Sequence, residues 1–395
     1  MRELQLTRLG EISEIYSGFA FRSQDLSDRG IPVLKIANIQ DKRVDPECAD
    51  HYPEELCTEK MNRYFLQEGD TLIAMTGAGS VGKVGRILRV EGRFLVNQRV
   101  AIVRPDASRC DPTFVYFALS QDYYETKLYG LGLGAGQPNV SSKQIGDLEI
   151  PFPPRSVQHR IAGILSAYDE LIENNQRRIR ILEEMARALY RESFIDSRDR
   201  TTGRQTFGDI CELVKEPFDE GAHAGRPLLD LSRIPQHSIA PLDTADPSEL
   251  TTSRIVFEPG DTLFGAIRCY LHKVVAAPFP GVTNTSVLVL RPTKPWFRSL
   301  TAFIASDIGT IRWAETHSAG TKMPVINWTV FQTMPVPLLS EALAKRYELI
   351  VGPMLDQIGM LTRATQNLRQ ARDLLLPRLL SGQLILSEVR SSKNS

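Results

Sequence analysis

The sequence predicts an α+β protein in which two mixed α/β globular domains are separated by a long antiparallel two-helix coiled coil, with an internal pseudo-two-fold repeat. Three observations support this prediction. Two halves of the chain repeat the same motifs in the same order, each half contains short β-rich runs, and each half ends in a long helical pattern. The length of 395 residues suffices for two or three domains that each bury a core.

The repeat is clearest at two places. Gly69-Asp70-Thr71-Leu72 recurs as Gly260-Asp261-Thr262-Leu263, and the strand-like run from Asn97 to Pro105 recurs from Asn284 to Pro292. Both runs close on an Arg-Pro pair. A period near half the chain is too long for a solenoid, so the sequence indicates two copies of a globular domain followed by a helix.

Each globular copy has the pattern of a sheet with helices packed on it. Short apolar runs lie between Gly, Pro, Asn and Asp residues, as at Ile31 to Ile36, Thr71 to Met75 and Val287 to Leu290. Helical patterns over Pro112 to Lys127 and Trp296 to Thr316 are expected to pack on the sheets. These patterns predict a twisted mixed α+β domain in each copy.

The first long helix is expected from Ser156 to about Glu192, a stretch without proline. Its apolar residues alternate between spacings of four and three, which is the pattern of a coiled-coil seam. An amide on the seam favours one register and one partner at some cost in stability. Charged residues that include Glu183 and Arg187 are assigned to the opposite, solvated face. The seam residues are Ile161, Leu165, Tyr168, Ile172, Asn175, Ile179, Leu182 and Leu189.

The second copy repeats this spacing, with the seam residues Met354, Leu361, Leu368 and Leu375. Because Gly352, Pro353 and Gly359 weaken the first turns, we expect a continuous helix only from about Pro353, ending near Pro377 and Gly382. The two helices are expected to pair antiparallel as a rod of roughly 50 Å. The predicted domains are residues 1–154, 155–196 (central helix), 197–340, 341–386 (distal helix) and 387–395 (tail).

Several enzyme classes lack their motifs in this sequence. Residues 77–84 nearly spell a phosphate-binding loop, but Val84 has no hydroxyl for magnesium, and 84–90 reads as a strand instead of the required helix. The five cysteines form no C-x-x-C pair, the six histidines show no H-E-x-x-H spacing, and no N-P-P-[FYW] methyltransferase motif is present. We therefore expect no catalytic residues and no metal site.

The remaining composition points to a cytoplasmic protein without a membrane segment. Positive and negative residues number 47 each, so the formal net charge is zero. No apolar run approaches the roughly 18 residues of a membrane-spanning helix, and the first residues lack a signal-peptide core. A balanced charge argues against a protein that coats nucleic acid nonspecifically, but it allows locally basic faces.

Two related domains at a fixed spacing are suited to reading two separated patches of double-stranded DNA. Basic, amide and aromatic residues gather on the predicted loops, where Arg and Lys can hold phosphates or read guanine and Asn and Gln can read adenine. The alternative for each residue is an ordinary solvated loop position. The candidate DNA-binding residues are Lys35, Asn38, Thr76, Lys83, Arg99, Gln137, Asn139, Arg268, Tyr270, His272, Lys273, Lys322 and Asn327.

The helical motifs Leu182 to Glu192 and Leu368 to Gly382 resemble the conserved helical regions of type I restriction-modification specificity subunits. The Gly-Asp-Thr-Leu motif followed by Gly77 to Gly85, and the segment Ile267 to Lys273, are similar to parts of that family's target-recognition domains. The resemblance covers nearly the whole chain and includes the order of the domains.

This resemblance implies a non-catalytic subunit whose two target-recognition domains each bind one half of a bipartite, asymmetric DNA site. It also implies that the helices set the spacer and dock two adenine-N6 methyltransferase subunits, and that a restriction and translocase subunit completes the enzyme. No cofactor is expected on this chain, while S-adenosylmethionine, ATP and Mg are expected in the partner subunits. Two alternatives remain open: a recognition subunit of another methyltransferase-based antiviral system, and a coiled-coil adaptor without DNA specificity.

Overall fold

The computed structural model describes residues 5–46, 49–134, 136–195, 205–241, 243–250, 252–320, 322–337 and 340–382. The chain divides into two compact units: unit 1 comprises Met1–Asp169 and Ala371–Ser395, and unit 2 comprises Glu170–Gln370. Both units mix helices and strands, which confirms the predicted fold class. The predicted tail, 387–395, lies outside the described residues.

In unit 1 the long strands form an antiparallel sheet in the order β2-β10-β7-β8, while β1 pairs with β11, and β3 lies between β6 and β9. The strands are β1 (Leu6–Arg8), β2 (Ser13–Ser17), β3 (Ile31–Leu34), β4 (Ile39–Gln40), β5 (Arg43–Val44), β6 (Asp50–Tyr52), β7 (Thr71–Ala74), β8 (Val84–Gly85), β9 (Leu95–Val96), β10 (Val100–Pro105) and β11 (Glu149–Pro151). The helices are α1 (Leu9–Ile12), α2 (Pro112–Leu119), α3 (Asp122–Gly132), α4 (Ser142–Gly146) and the first part of α5 (Arg155–Tyr190).

Unit 2 repeats this topology, with a sheet in the order β13-β18-β15-β16 and with β12 paired to β19. The strands are β12 (Gln205–Thr206), β13 (Cys211–Val214), β14 (Arg254–Phe257), β15 (Thr262–Gly265), β16 (Val274–Ala276), β17 (Gly281–Asn284), β18 (Val287–Pro292) and β19 (Pro335–Val336). The helices are α6 (Arg298–Ala305), α7 (Ile308–Thr316), α8 (Trp328–Phe331) and most of α9 (Glu341–Leu380). The internal repeat is therefore present in the strand order as well as in the sequence.

The repeated Gly-Asp-Thr-Leu and Arg-Pro motifs form the same ion pair in both units. Arg104 binds Asp70 through Nε to Oδ1 at 2.8 Å and Nη2 to Oδ2 at 2.7 Å. Arg291 binds Asp261 through the same atoms at the same distances. The aspartate side chains are only 1% and 2% exposed. This pair joins the central strand of each sheet to the turn before its neighbour, so these motifs maintain the fold.

Each predicted helical pattern on the sheets is in fact two helices. The segment from Pro112 divides into α2 and α3 around Ser120, and the segment from Trp296 divides into α6 and α7 around Ser306. The Ser120 hydroxyl donates to the Tyr116 carbonyl at 2.7 Å, and Asp307 caps α7 by accepting from the Gly309 amide at 2.8 Å. Ser and Asp compete for backbone groups in this way and end helices that an apolar pattern alone predicts to continue.

Helix α5 runs from Arg155 to Tyr190 and continues as a π-helical turn to Ile195, close to its predicted limits. The predicted seam divides into two classes by burial. Ile161, Leu165, Ile172 and Ile179 are buried. The remaining members, Tyr168, Asn175, Leu182 and Leu189, are half-buried.

Helix α9 departs from the prediction, because it is continuous from Glu341 through Pro353 and Pro377. An interior proline costs about 3 kcal/mol. The burial of Ala344, Tyr347 and Val351 before Pro353 accounts for the added turns.

The buried stripe of α9 also lies one residue away from the predicted seam. It passes through Val351, Leu355, Ile358, Thr362 and Thr365. The two threonine hydroxyls donate to carbonyls of the preceding turn at 2.8 Å, which allows polar residues to be buried there. The predicted residues Met354, Leu368 and Leu375 are half-buried, and Leu361 is buried.

The two long helices contact each other in opposite senses, as the antiparallel prediction requires. In unit 1, Ile161 and Leu165 near the start of α5 share a core with Leu376 and Leu379 near the end of α9. In unit 2, the Tyr347 hydroxyl near the start of α9 donates to the Ala186 carbonyl near the end of α5 at 3.2 Å. Within the described ranges, none of the helices combines the length and the hydrophobicity of a membrane-spanning segment.

Candidate nucleic-acid interface

Three loops of unit 1 are joined by main-chain hydrogen bonds at Met75, the residue after β7. The Met75 amide donates to the Arg99 carbonyl, and the Val140 amide donates to the Met75 carbonyl, both at 2.9 Å. One step along, the Gly77 amide donates to the Pro138 carbonyl at 3.1 Å. We call the residues joined in this way, 75–83, 97–99 and 137–140, loop cluster 1.

Unit 2 builds the same framework around Ala266, the residue after β15. The Ala266 amide donates to the Ser286 carbonyl at 2.9 Å, and the Ile326 amide donates to the Ala266 carbonyl at 3.0 Å. The Arg268 amide then donates to the Pro324 carbonyl at 2.8 Å. Residues 266–273, 284–286 and 322–327 form loop cluster 2, and its bonds correspond one by one to those of loop cluster 1.

Most candidate DNA-binding residues of the sequence lie in these two clusters. Lys83 and Lys273 occupy equivalent positions, because their carbonyls accept from the Ala74 and Gly265 amides, each at 2.9 Å. The side chains of the clusters otherwise differ. Loop cluster 1 contains Thr76, Lys83, Arg99, Gln137 and Asn139, and loop cluster 2 contains Arg268, Tyr270, His272, Lys273, Lys322 and Asn327.

Each cluster presents cations to solvent. Arg99 in loop cluster 1 and Arg268 and Lys322 in loop cluster 2 are exposed. Among the described residues, no carboxylate or other acceptor binds the side-chain nitrogens of these three residues. Their charges are therefore available to an anionic ligand such as a phosphate.

Two candidates lie outside the clusters and have partners within the fold. The Lys35 ammonium pairs with Asp50, which neutralises its charge. Asn38 is 5% exposed, and its amide closes a turn by accepting from the Lys35 amide and donating to the Asp45 carbonyl, both at 2.8 Å. A base contact from Asn38 would require this turn to open, so we assign Asn38 a structural role.

Two candidates within loop cluster 2 hold the loop in place. His272 is 7% exposed, its Nε2 lies 2.8 Å from the Ser306 carbonyl oxygen, and burial lowers its pKa. The Lys273 ammonium donates to the Leu231 carbonyl at 2.7 Å, and partial burial lowers its pKa. The His272 ring and the Lys273 ammonium thus contact main-chain carbonyls of the protein, whereas the side chains of Arg268 and Lys322 have no such partner among the described residues.

Helix α5 supports loop cluster 2 through polar residues that the sequence analysis placed on a solvated face. Arg187 donates to the Ser306 carbonyl at 3.0 Å, the same carbonyl that His272 contacts. Glu183 is 5% exposed and accepts from the Ser238 hydroxyl at 2.7 Å and the Ile239 amide at 3.0 Å. Burial raises the pKa of Glu183. The prediction that Glu183 and Arg187 lie on a solvated face was wrong. The helical spacing of charged residues cannot show that loops of the same unit cover this face.

The helix pairing in unit 1 includes a buried ion pair that the sequence analysis also missed. Arg372 of α9 donates through Nη1 to Asp169 of α5 at 2.6 Å, and the two side chains are 13% and 1% exposed. Arg43 donates to the Asp169 carbonyl at 3.1 Å. The predicted polar seam residue, Asn175, is half-buried instead. The contact between α5 and α9 in unit 1 thus includes the buried Asp169 carboxylate, which is paired with Arg372.

The geometry of loop cluster 1 differs from that of a phosphate-binding loop. After Gly82 and Lys83 the chain enters the short strand β8, where a phosphate-binding loop would begin a helix. This strand covers only 84–85 of the predicted 84–90. Arg86, which follows it, is buried against the Tyr116 ring at 4.6 Å. Within the described residues, no three His, Cys, Asp or Glu side chains are arranged to hold a metal ion.

Residues 1–184, which include loop cluster 1, match the family model described as type I restriction modification DNA specificity domain. This segment belongs to that family. The resemblance predicted from the sequence is thereby confirmed, and the repeated topology of unit 2 extends the architecture of a specificity domain beyond the matched residues.

Relatives of known name agree with this assignment. The type I restriction enzyme MjaVIII specificity subunit of Methanocaldococcus jannaschii is 26% identical over 171 residues, which are 43% of this chain and 40% of that protein. The MjaIX specificity subunit of the same organism is 22% identical over 312 residues, 70% of each chain. The chain thus spans less than half the length of the first curated relatives it matches.

A solved structure shares the fold over almost the full length. The type I restriction-modification system S subunit from M. genitalium has a TM-score of 0.59 and 17% sequence identity, covering 96% of this chain and 97% of that one. At this identity the likeness establishes the fold, and the residues that read DNA have to be argued from this chain.

Proposed function

We propose that this chain is the DNA-sequence-specificity subunit of a type I restriction-modification enzyme and is itself non-catalytic. Each unit binds one half of a bipartite, asymmetric DNA site. The observation that supports this most is the equivalent main-chain framework of loop clusters 1 and 2, which carries different side chains in the two units. Two readers with one backbone geometry and different side chains suit a site whose halves differ in sequence.

The chemistry of the clusters fits DNA. The exposed guanidinium groups of Arg99 and Arg268 suit phosphates or guanine, and the exposed amides of Gln137 and Asn139 suit adenine. Phosphate contacts supply most of the affinity and position the protein, while base contacts give the sequence preference. A net charge of zero therefore does not conflict with DNA binding, because the cations are concentrated in the clusters.

The long helices serve as the spacer and as a docking surface in this proposal. Helix α5 exposes Leu171, Ile181 and Met185, and α9 exposes Met360 and Leu374, all at 46% or more. Exposed apolar side chains along long helices suit partner helices. We propose that two adenine-N6 methyltransferase subunits dock there and that a restriction and translocase subunit completes the enzyme. S-adenosylmethionine, ATP and Mg then belong to those partners, and the whole complex acts in the cytoplasm.

Methylome sequencing tests the proposal in a host that supplies a methyltransferase partner, with and without this gene. We expect the gene to add adenine methylation at one bipartite sequence, while the purified chain alone methylates no DNA. The double variant R268A/K322A should weaken DNA binding by the complex. It should also reduce the slope of the logarithm of the binding constant against the logarithm of the salt concentration by about two, one for each lost phosphate contact. A matched control is K345A, because Lys345 pairs with Glu341 on α9. An unchanged methylome would refute the proposal.

A further inference from the structure

The two loop clusters identify pairs of equivalent recognition positions. The carbonyls of Pro138 and Pro324 accept the equivalent bonds from Gly77 and Arg268. The residues after these prolines, Asn139 and Val325, form equivalent bridges to Thr76 and Ile267. Gln137 is thus equivalent to Met323, and Asn139 is equivalent to Val325.

These equivalent positions carry opposite chemistry. Gln137 and Asn139 are exposed amides, whereas Met323 and Val325 are apolar and 52% and 38% exposed. Tyr270 in the same cluster is 48% exposed. Exposed apolar side chains that belong to one surface cluster are typical of a binding surface. Unit 2 therefore presents an apolar surface at the place where unit 1 presents hydrogen-bonding groups.

The backbone beneath the apolar pair is well fixed. Val325 and Ala319 exchange two main-chain hydrogen bonds of 2.9 and 3.0 Å, and the Ile326 amide binds the Ala266 carbonyl. Gly320, which follows Ala319, takes a φ of +101°, a backbone conformation that favours glycine. Because the backbone is held by these bonds, the exposure of Met323 and Val325 is a property of the folded loop.

The cations of the same cluster indicate the ligand. Arg268 and Lys322 lie in the same cluster, exposed and without an acceptor among the described residues. Exposed apolar and cationic side chains in one cluster suit a ligand that carries both phosphates and a small apolar group. Among the base edges of the major groove, the apolar group is the C5-methyl of thymine.

We propose that Met323 and Val325 are specificity-determining residues that contact a thymine methyl in the half-site bound by unit 2. At the equivalent positions of unit 1, Gln137 and Asn139 make hydrogen bonds to bases instead. The two halves of the site then differ because one shared position reads a methyl group in unit 2 and polar base atoms in unit 1. This inference rests on the proposed function and adds the chemistry of one reading position.

The test uses the complex with its methyltransferase partner and the bipartite site found by methylome sequencing. Each thymine of both halves is replaced in turn by deoxyuridine, which lacks only the C5-methyl group. We expect one or two positions, all within one half, at which loss of the methyl lowers affinity roughly fourfold, as for one buried methyl group. The variant M323Q/V325N should bind the thymine and deoxyuridine sites equally. The control L56Q should keep the wild-type preference, because Leu56 is 47% exposed and lies outside both loop clusters and both long helices.

The methylome of M323Q/V325N provides a second readout. We expect a changed base preference in one half and an unchanged other half, whereas Q137M/N139V should change the opposite half. Each mismatched base pair should reduce methylation of the original site about tenfold or more. A wild-type complex indifferent to every thymine methyl would overturn this inference while leaving the proposed function intact. A wild-type chain that directs no bipartite methylation would refute the proposed function itself.

Discussion

Replacing Asp261 by alanine should destabilise unit 2 through loss of the repeated ion pair. The carboxylate is 2% exposed and accepts two hydrogen bonds from Arg291 and one from the Glu258 amide at 2.8 Å. Breaking a fully buried pair costs about 3 to 5 kcal/mol, because a charge is left without a partner. Since the Arg291 side chain is 34% exposed, water recovers part of this cost, and we expect about 2 to 4 kcal/mol.

The equivalent variant D70A in unit 1 provides an internal comparison. Arg104 is 20% exposed and also donates to the Phe65 carbonyl at 3.0 Å, so it regains less water after the carboxylate is removed. We expect D70A to cost at least as much as D261A. For a unit of this size, each variant should lower the midpoint of thermal unfolding of its own unit by roughly 4 to 16 °C.

Urea and thermal unfolding of the full chain measure both losses. The control is E54A, because the pair of Glu54 with Arg93 is more than half exposed on both sides and should contribute at most about 1 kcal/mol. If D261A and D70A cost no more than this control, the assignment of the repeated motifs to fold stability is wrong.

Three further predictions concern the helices and His272. The variant D169N should lose up to about 3 kcal/mol in urea unfolding, because the nearly buried Arg372 keeps its charge with only the half-exposed Asp373 as a charged partner. The variant D169L/R372M should recover most of this loss, and equal stability of the two variants would contradict this reasoning. Deleting residues 166–172 with one facing heptad of α9 around Arg372 removes about 10 Å of helix, so methylome sequencing should show a shorter gap and unchanged half-sites. Burial lowers the pKa of His272, so its contribution to stability is present above the ordinary value of 6.5 and is lost as the pH falls below it. Asparagine tolerates the His272 φ of +50°, so H272N should flatten the decline of the melting temperature between about pH 7 and 5, and an unchanged decline would count against this role.

The features predicted well from the sequence are those with a local pattern. The duplicated motifs predicted the internal repeat, because Asp70 and Arg104 must recur together to form their ion pair. A heptad pattern without proline predicted both ends of α5 to within two residues. The division of helices at Ser120 and Ser306 was missed, because the apolar pattern continues across both serines. In α9 the small and polar residues Gly352, Thr362 and Thr365 occupy buried positions, and hydrophobicity alone therefore placed the seam one residue away.

The candidate site was predictable as a region and less so residue by residue. Residue type identified Arg99 and Arg268, whose side chains are exposed, but it could not distinguish them from His272, which is buried by contacts distant in sequence. Met323 and Val325 were missed because apolar side chains normally indicate a core. The internal repeat held a usable signal, since alignment on Pro138 and Pro324 would have compared these positions with Gln137 and Asn139.

The main-chain bonds at Met75 and Ala266 have an evolutionary consequence. Amides and carbonyls form them whichever side chains the neighbouring residues carry, so substitutions at the exposed loop tips change the offered surface with little effect on folding. If the proposed function holds, selection can therefore redirect either unit toward a new DNA sequence through a few codon changes, without first having to compensate for lost stability.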